Sequence, residues 1–325
     1  MKKKWLFIVM VLLLLIALLQ FDGRELLDSI SQIPWWLLLL LLGLQMVTQL
    51  LINLQWYKIA KITGISISFW DMFEVNCQGA VIDSITPGVK IGGEVTRAIQ
   101  ISRMTHCSGE HSAAIVALQK LFSMSALFVI LLFSIGYLVG EVPWFSVRYV
   151  QILIYSLLLL FLLLYCGIFF FSNKIKAHFH RKKNSRSSWI DRIKHFLFIL
   201  LEHVDSIRKN KRAWFSLTIL SLLIWVLYPI KMYVLVLQFH SEVHLIHLSA
   251  ITFAAYLVAM LPIFPGGLGG FEGTMSGLLL NMGFLVSDAA VITIFFRFVT
   301  FWFVMLFSCI FIVFRKIIKN RTLRP

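Results

Sequence analysis

Hydrophobic residues in this chain form long continuous runs, separated by short stretches that are basic, acidic or rich in glycine. The runs cover residues 5–20, 37–54, 113–139, 152–171, 214–237, 248–264, 271–284 and 289–314. About 20 apolar residues in a helix cross the hydrocarbon core of a bilayer, and a helix satisfies its own backbone polar groups there. Alternation of apolar and polar positions, the mark of a membrane β-barrel, is missing from the runs. The pattern predicts an all-α polytopic membrane protein with about six full spans: 5–20, 37–54, 113–139, 150–171, 214–237 and 289–314. Residues 189, 190, 193, 196, 197, 200, 201, 204 and 207 are apolar at helical spacing. They predict an amphipathic helix on the membrane surface, and a basic solvated linker with a short helix fits nearly as well.

Two further stretches do not read as ordinary spans. Residues 70–104 mix Asp71, Glu74, Asn76, Gln78, Asp83, Lys90, Glu94 and Arg97 with small and apolar residues. Such a segment cannot face lipid, because each buried polar group needs a partner. It is either a cytoplasmic loop or a re-entrant hairpin enclosed by protein, broken at Pro87-Gly88. Residues 248–284 are apolar but are broken at Pro265 by a glycine-rich turn, and the two stretches together are read as two re-entrant helical hairpins in addition to the six full spans. The competing geometry has 248–264 and 271–284 each crossing the bilayer fully.

The two breaks are copies of one another. Pro87-Gly88-Val89-Lys90-Ile91-Gly92-Gly93-Glu94 recurs as Pro265-Gly266-Gly267-Leu268-Gly269-Gly270-Phe271-Glu272. An apolar helix follows each copy and carries one cation, Lys120 in the first and Arg297 in the second. Pro87 and Pro265 mark the helix breaks. The first repeat covers about 35–139 and the second about 213–314, within a single membrane domain of residues 1–325.

Charge sets the orientation. The chain carries 30 Lys and Arg against 15 Asp and Glu, with 59% hydrophobic residues and a mean hydropathy of +0.87. Residues 172–212 alone hold 12 Lys and Arg against Asp191, Glu202 and Asp205, and the chain ends on Arg315, Lys316, Lys319, Arg321 and Arg324. The positive-inside rule places both regions in the cytoplasm, which puts the amino terminus there too. The first segment resembles a signal peptide, but no small-x-small site follows it, so it is read as a retained span. By this count the first hairpin opens to the cytoplasm and the second to the outside. The halves are then an inverted repeat, with broken helices at matching places, which points to a binding site at the bilayer midplane.

The chemistry of the breaks follows from their backbone. A glycine-rich break leaves N–H groups unpaired at the start of the returning helix, and these with the helix dipole favour an anion. Glycine also permits positive φ and close approach of a ligand. Glu94 and Glu272 fall in the first helical turn, where they complement the dipole and can pair with Lys120 and Arg297. Alternatively these cations, with Arg97, bind a lipid phosphate while the glutamates shape the site. The two roles can coexist. Hydrolase, zinc-protease, nucleotide-loop and Cys-x-x-Cys motifs are missing, so no catalytic residue is expected. His240, His244 and His247 could share a helical face, but only Glu242 accompanies them and no metal or other cofactor is expected. The four cysteines show no metal or redox spacing. Basic character is explained by topology and anionic headgroups, not by nucleic acid.

The stretches PGVKIGGEVTRAIQISRM and AAIVALQKLF, with LPIFPGGLGGFEG and AAVITIFFRFVTFW, resemble the membrane region of lysylphosphatidylglycerol synthases, including the flippase domain of the multiple peptide resistance factor. The resemblance covers roughly residues 10–315. It implies a domain of the bacterial cytoplasmic membrane that moves aminoacylated or related phospholipids between leaflets. Gly92, Gly93, Glu94 and Arg97 match its first motif. Gly266, Gly267, Gly269, Gly270 and Glu272 match the second, and Arg297 the later arginine. With Gly88 and Lys120, these form the expected substrate-binding set. The chain departs from the family at Gln119-Lys120, where Glu-Arg is common. Full-length synthases add a soluble transfer-RNA-using domain. The longest soluble stretch here, 172–212, is too short for one, so lysyl transfer is not expected of this polypeptide. Membrane phospholipids are the expected partners, with a separate lipid-synthesis enzyme and a second copy of the chain as further candidates. The alternative function is an accessory role in phospholipid or lipid-linked glycan synthesis.

Overall fold

A computed structural model describes residues 28–86, 91–141, 188–240, 243–261 and 266–322, with 148, 149, 151, 152, 155, 156, 159, 160, 162, 163, 165, 167 and 169. The first expected span, most of the 150–171 span, and Pro87, Gly88 and Pro265 lie outside the described residues. Every regular element among the described residues is helical. In chain order these are α1 (Trp35–Ile62), α2 (Phe69–Ile85), α3 (Ile91–Thr105), α4 (Gly109–Glu141), α5 (Ser188–Lys209) and α6 (Lys211–Val236). Then follow α7 (Leu245–Ala259), α8 (Gly270–Asn281), α9 (Val286–Arg297), a π-helical turn (Phe298–Trp302) and α10 (Phe303–Thr322).

Among the described residues, four stretches are long and apolar enough to cross a membrane: Trp35–Ile62, Gly109–Ser134, Lys211–Val236 and Val286–Asn320. They coincide with four of the apolar runs. The helices start where the sequence supplies caps. Ser68 Oγ accepts the Asp71 N–H at 3.1 Å and donates to the Asp71 carboxylate at 2.6 Å, opening α2. Ser108 Oγ accepts the His111 N–H at 3.2 Å at the start of α4. Asn210 Oδ1 accepts the Ala213 N–H at 3.1 Å and starts α6. Each satisfies an N–H that the first turn would leave unpaired.

The chain forms two compact units, each discontinuous in sequence. The first contains residues 1–45, 84–90 and 228–304, and the second 46–83, 91–227 and 305–325. The core of the first packs Leu37, Leu41, Met232 and Val236 with Leu248, Ile251, Phe271, Met275, Ile292 and Phe296. Ser29 Oγ donates to Asp288 at 2.7 Å and so ties residues near the described amino-terminal end to the start of α9. Lys231 is completely buried here. It follows Pro229 in α6, donates to Gln45 Oε1 and lies 4.3 Å from the Tyr228 ring.

The core of the second unit packs Trp56, Ile59 and Ala60 with Met72, Ile101, Ile115, Leu118, Phe122, Leu200, Val204 and Ile207. The last three belong to α5, the expected amphipathic helix. Its apolar face is filled largely by α4 of the same unit, so protein rather than lipid covers much of the stripe. Two short runs of buried amides lie in this unit. Gln119 donates to Gln55 at 3.1 Å, and Gln55 to Ser221 at 2.6 Å. Asn76 donates to Asn53 at 2.9 Å, and Asn53 to the Phe69 carbonyl at 3.0 Å. Gln119 is thus one link of a neutral chain.

The α4–α5 contact carries a pH dependence. The His111 and His203 rings lie 4.7 Å apart, and His111 Nε2 lies 3.2 Å from the Thr63 carbonyl. Burial, and secondarily His111, pushes the His203 pKa from 6.5 down to about 4. The unfolded chain therefore binds a proton near pH 6.5 that the fold accepts only near 4. This contribution to stability is present above about pH 6.5 and is lost as the pH falls toward 4. A His203→Phe variant in detergent should lose less melting temperature than the parent between about pH 7 and 4.5. Equal losses would show that His203 does not govern this window.

Candidate functional site

Each glycine-rich break is followed by an ion pair at the expected place. In the second unit, Glu94 in the first turn of α3 pairs with Lys120 of α4. Arg97, one turn further, pairs through Nη1 with Asp83 Oδ2 of α2 at 3.1 Å. The other Asp83 oxygen accepts the Gly93 N–H at 3.0 Å. One carboxylate thus closes α3 onto α2. Gly79 and Gly93 make this possible: a Cβ on Gly79 would lie 2.5 Å from the Arg97 guanidinium, and one on Gly93 would overlap the Asp83 carboxylate. The Arg97 guanidinium also sits 5.7 Å from the Trp56 ring centroid. Gly92, beside Gly93, offers its carbonyl to the Thr96 hydroxyl at 2.8 Å.

The first unit holds the second break. Gly266, Gly267 and Gly269 have φ of 59°, 73° and 84°, in the left-handed region that side chains avoid. Gly270 starts α8 and is buried. The Gly269 N–H donates to Glu272 Oε2 at 2.7 Å, so the glutamate caps its own helix. Glu272 Oε1 also lies 3.0 Å from Arg297 Nε. The Arg297 Nη2 donates to the Gly266 carbonyl, and its guanidinium lies between the Phe271 and Phe301 rings at 4.7 and 4.2 Å. Arg297 is 5% exposed. It ends α9, immediately before the π-helical turn, a local widening common at functional positions. Ser84, at the end of α2 and part of this same unit, reaches the second break: a Cβ on Gly266 would lie 3.0 Å from its carbonyl oxygen.

Every cation on the expected list is therefore matched by a carboxylate: Lys120 by Glu94, Arg97 by Asp83 and Arg297 by Glu272. An incoming anion would have to exchange with a carboxylate. Such closed pairs offer binding and exchange chemistry.

The chain belongs to the family of lysylphosphatidylglycerol synthase transmembrane regions. The family model matches residues 5–308, nearly the whole chain. A UPF0104 membrane protein of Methanothermobacter thermautotrophicus is 24% identical over 272 residues, 80% of either chain. One from Methanocaldococcus jannaschii is 27% identical over 268 residues, 79% of this chain and 78% of the relative. One from Pyrococcus horikoshii is 24% identical and aligns with 99% of this chain and 98% of its own. The lysylphosphatidylglycerol synthase region thus has archaeal members among these relatives, and the chain is an integral membrane protein by family and by its apolar helices.

The sequence pattern does not assign partners to several other charged groups. Asp71 and Glu74 of α2 meet Arg315 and Lys319 of α10: Arg315 Nη2 donates to Asp71 at 2.5 Å and Lys319 Nζ to Glu74 at 2.8 Å. Asp83 is the Arg97 partner, and Lys231 is the buried lysine. Among the histidines, His240 packs on Phe284 at 4.6 Å, while His244 and His247 lie 5.7 Å apart. Cys77 is buried and Cys309 exposed.

Proposed function

We propose that the chain is a phospholipid translocase of flippase type. Its cargo would be an aminoacyl-phospholipid or a related anionic or zwitterionic lipid of the cytoplasmic membrane. The observation that carries this reading is the duplicated ion pair. Glu94–Lys120 and Glu272–Arg297 stand at matching positions after two copies of one glycine-rich break. Charges in apolar helices are costly, and a matched pair in each repeat is more than a single helix cap requires. A lipid phosphate would displace the carboxylate from the cation, and release would restore the pair. The breaks favour this exchange, because freed backbone N–H groups and a helix start already accept negative charge.

Helix length supports re-entrant hairpins. The 15 residues of α7 and 12 of α8 extend about 22 and 18 Å at 1.5 Å per residue, against a hydrocarbon core of roughly 30 Å. The Ser84 carbonyl approaches Gly266, so the end of α2 reaches the second break. Both termini lie in the cytoplasm in this reading, with the repeats inverted.

The test is translocation in proteoliposomes of phosphatidylglycerol, with tail-labelled lysylphosphatidylglycerol and a leaflet-specific amine reagent. The wild-type chain should move the probe, and Glu272→Gln should stop it at equal reconstitution. Rates equal to those of protein-free vesicles would overturn the reading. The family description favours a second reading, a membrane partner of a lipid-synthesis enzyme. A deletion strain with altered total lipid composition but unchanged leaflet distribution would favour that one.

A further inference from the structure

Outside the break motifs, the second unit contains an apolar cavity with a cationic rim. The cavity, about 660 Å³, is walled by Tyr165, Phe169, Trp214 and Phe215. Among the described residues its charged lining is basic: Arg208 lies in the last turn of α5, and Lys211 and Arg212 begin α6. Arg208 is anchored, donating to the Phe169 carbonyl at 3.1 Å and lying 3.8 Å from Asp205. Lys211 and Arg212 are exposed.

Two neighbouring cavities extend this one in opposite chemical directions. Tyr165 also lines an apolar cavity of about 390 Å³, whose other walls include Phe128, Val129, Leu132 and Leu159. Arg212 also lines a smaller one of about 240 Å³ with Lys58, Asn210 and Ser216. Shared walls make the order along the surface cationic, aromatic, then aliphatic. That is the chemistry of an amphiphile with an anionic head and a hydrocarbon tail. Aromatic residues at the turn from polar to apolar fit the headgroup level of a bilayer.

We propose that this groove is a resident site for one anionic phospholipid of the leaflet on the basic-loop side, with phosphate at Arg208, Lys211 and Arg212 and an acyl chain along Tyr165 toward Val129. Charge selects this occupant. The chain's own linker 172–187 carries six Lys and Arg and no acid, so its charge does not complement the rim. A zwitterionic lipid brings an ammonium group to a site that already has three cations. None of the described residues of the duplicated breaks lines the groove, and the proposal does not rest on translocation.

The full chain, purified in mild detergent, is incubated with phosphatidylglycerol or phosphatidylcholine of identical acyl chains, and bound lipid is counted by native mass spectrometry. The wild type should retain phosphatidylglycerol in preference. Lys211→Gln with Arg212→Gln should lower that retention on the order of tenfold, since each juxtamembrane cation contributes several-fold. Phosphatidylcholine retention should be unchanged in that variant. Val129→Trp, which fills the tail end without touching the rim, should lower retention of both lipids. Equal retention of the two lipids by the wild type would overturn the proposal. So would unchanged phosphatidylglycerol retention in the double variant, or displacement of the lipid by soluble glycerol phosphate at matched concentration.

Discussion

Replacing Arg297 with alanine is expected to destabilise the first unit more than any other side-chain truncation proposed for the breaks. The guanidinium is 5% exposed, pairs with Glu272, donates to the Gly266 carbonyl and lies between two phenylalanine rings. Removal strands the Glu272 carboxylate, which is 21% exposed and keeps its Gly269 N–H; breaking a buried pair from one side costs about 3–5 kcal/mol, and this partial exposure puts the loss at the lower end. The melting temperature in detergent should fall by roughly 10 °C for a unit of this size. Arg297→Lys keeps the charge but loses the planar fork and the ring stacking, so it should recover only part of the loss. Glu272→Gln combined with Arg297→Gln should cost less than the sum of the single changes, because the stranded charge is gone. Additive losses in that cycle would mean that the pair does not hold the break together. Lipid transport should fail in Arg297→Lys even at temperatures where it remains folded. Transport at the parental rate would assign Arg297 to stability alone.

Much of this site is legible in the sequence. Hydropathy alone locates α1, α4, α6 and the α9–α10 stretch, because about 20 apolar residues leave no other structure open to them. The repeat locates Glu94, Lys120, Glu272 and Arg297, because matched spacing carries information that one charged residue does not. The partners of the remaining charges are not legible. Asp83 and Arg97 lie on opposite sides of a break whose geometry decides whether they meet. Arg315 and Lys319 read as topology anchors, yet they close on Asp71 and Glu74, which lie far away in the chain. Lys231 is a single cation in a long apolar run, too little to change its hydropathy. The π-helical turn after Arg297 has no compositional mark. The stripe on α5 is visible, but a stripe does not say whether protein or lipid covers it.

Two glycines of the second break and its helix should respond to alanine with opposite signs. Gly267 has φ 73°, and a Cβ there would lie 2.7 Å from the Ala259 Cβ and 3.1 Å from the Ala259 carbonyl oxygen. The left-handed backbone costs an alanine about 1–2 kcal/mol before any contact is considered. The clash adds to it, because the obstacle is the backbone at the end of α7 rather than a flexible side chain. Gly273 lies inside α8, and a methyl group added there would meet nothing within 4 Å. Alanine there should stabilise the helix by about 0.5–1 kcal/mol, since glycine is the poorer helix former. Gly267→Ala should therefore lower the melting temperature in detergent and Gly273→Ala should raise it. Function should separate them as well. Relief of the Gly267 strain moves the turn that holds the Gly266 carbonyl against Arg297, so the ion pair loses its backbone support. Gly273→Ala leaves that turn in place. If Gly267→Ala melts with the parent, the left-handed turn is not what fixes the break. The ion pair at Arg297 would then have to be positioned by α8 and α9 alone.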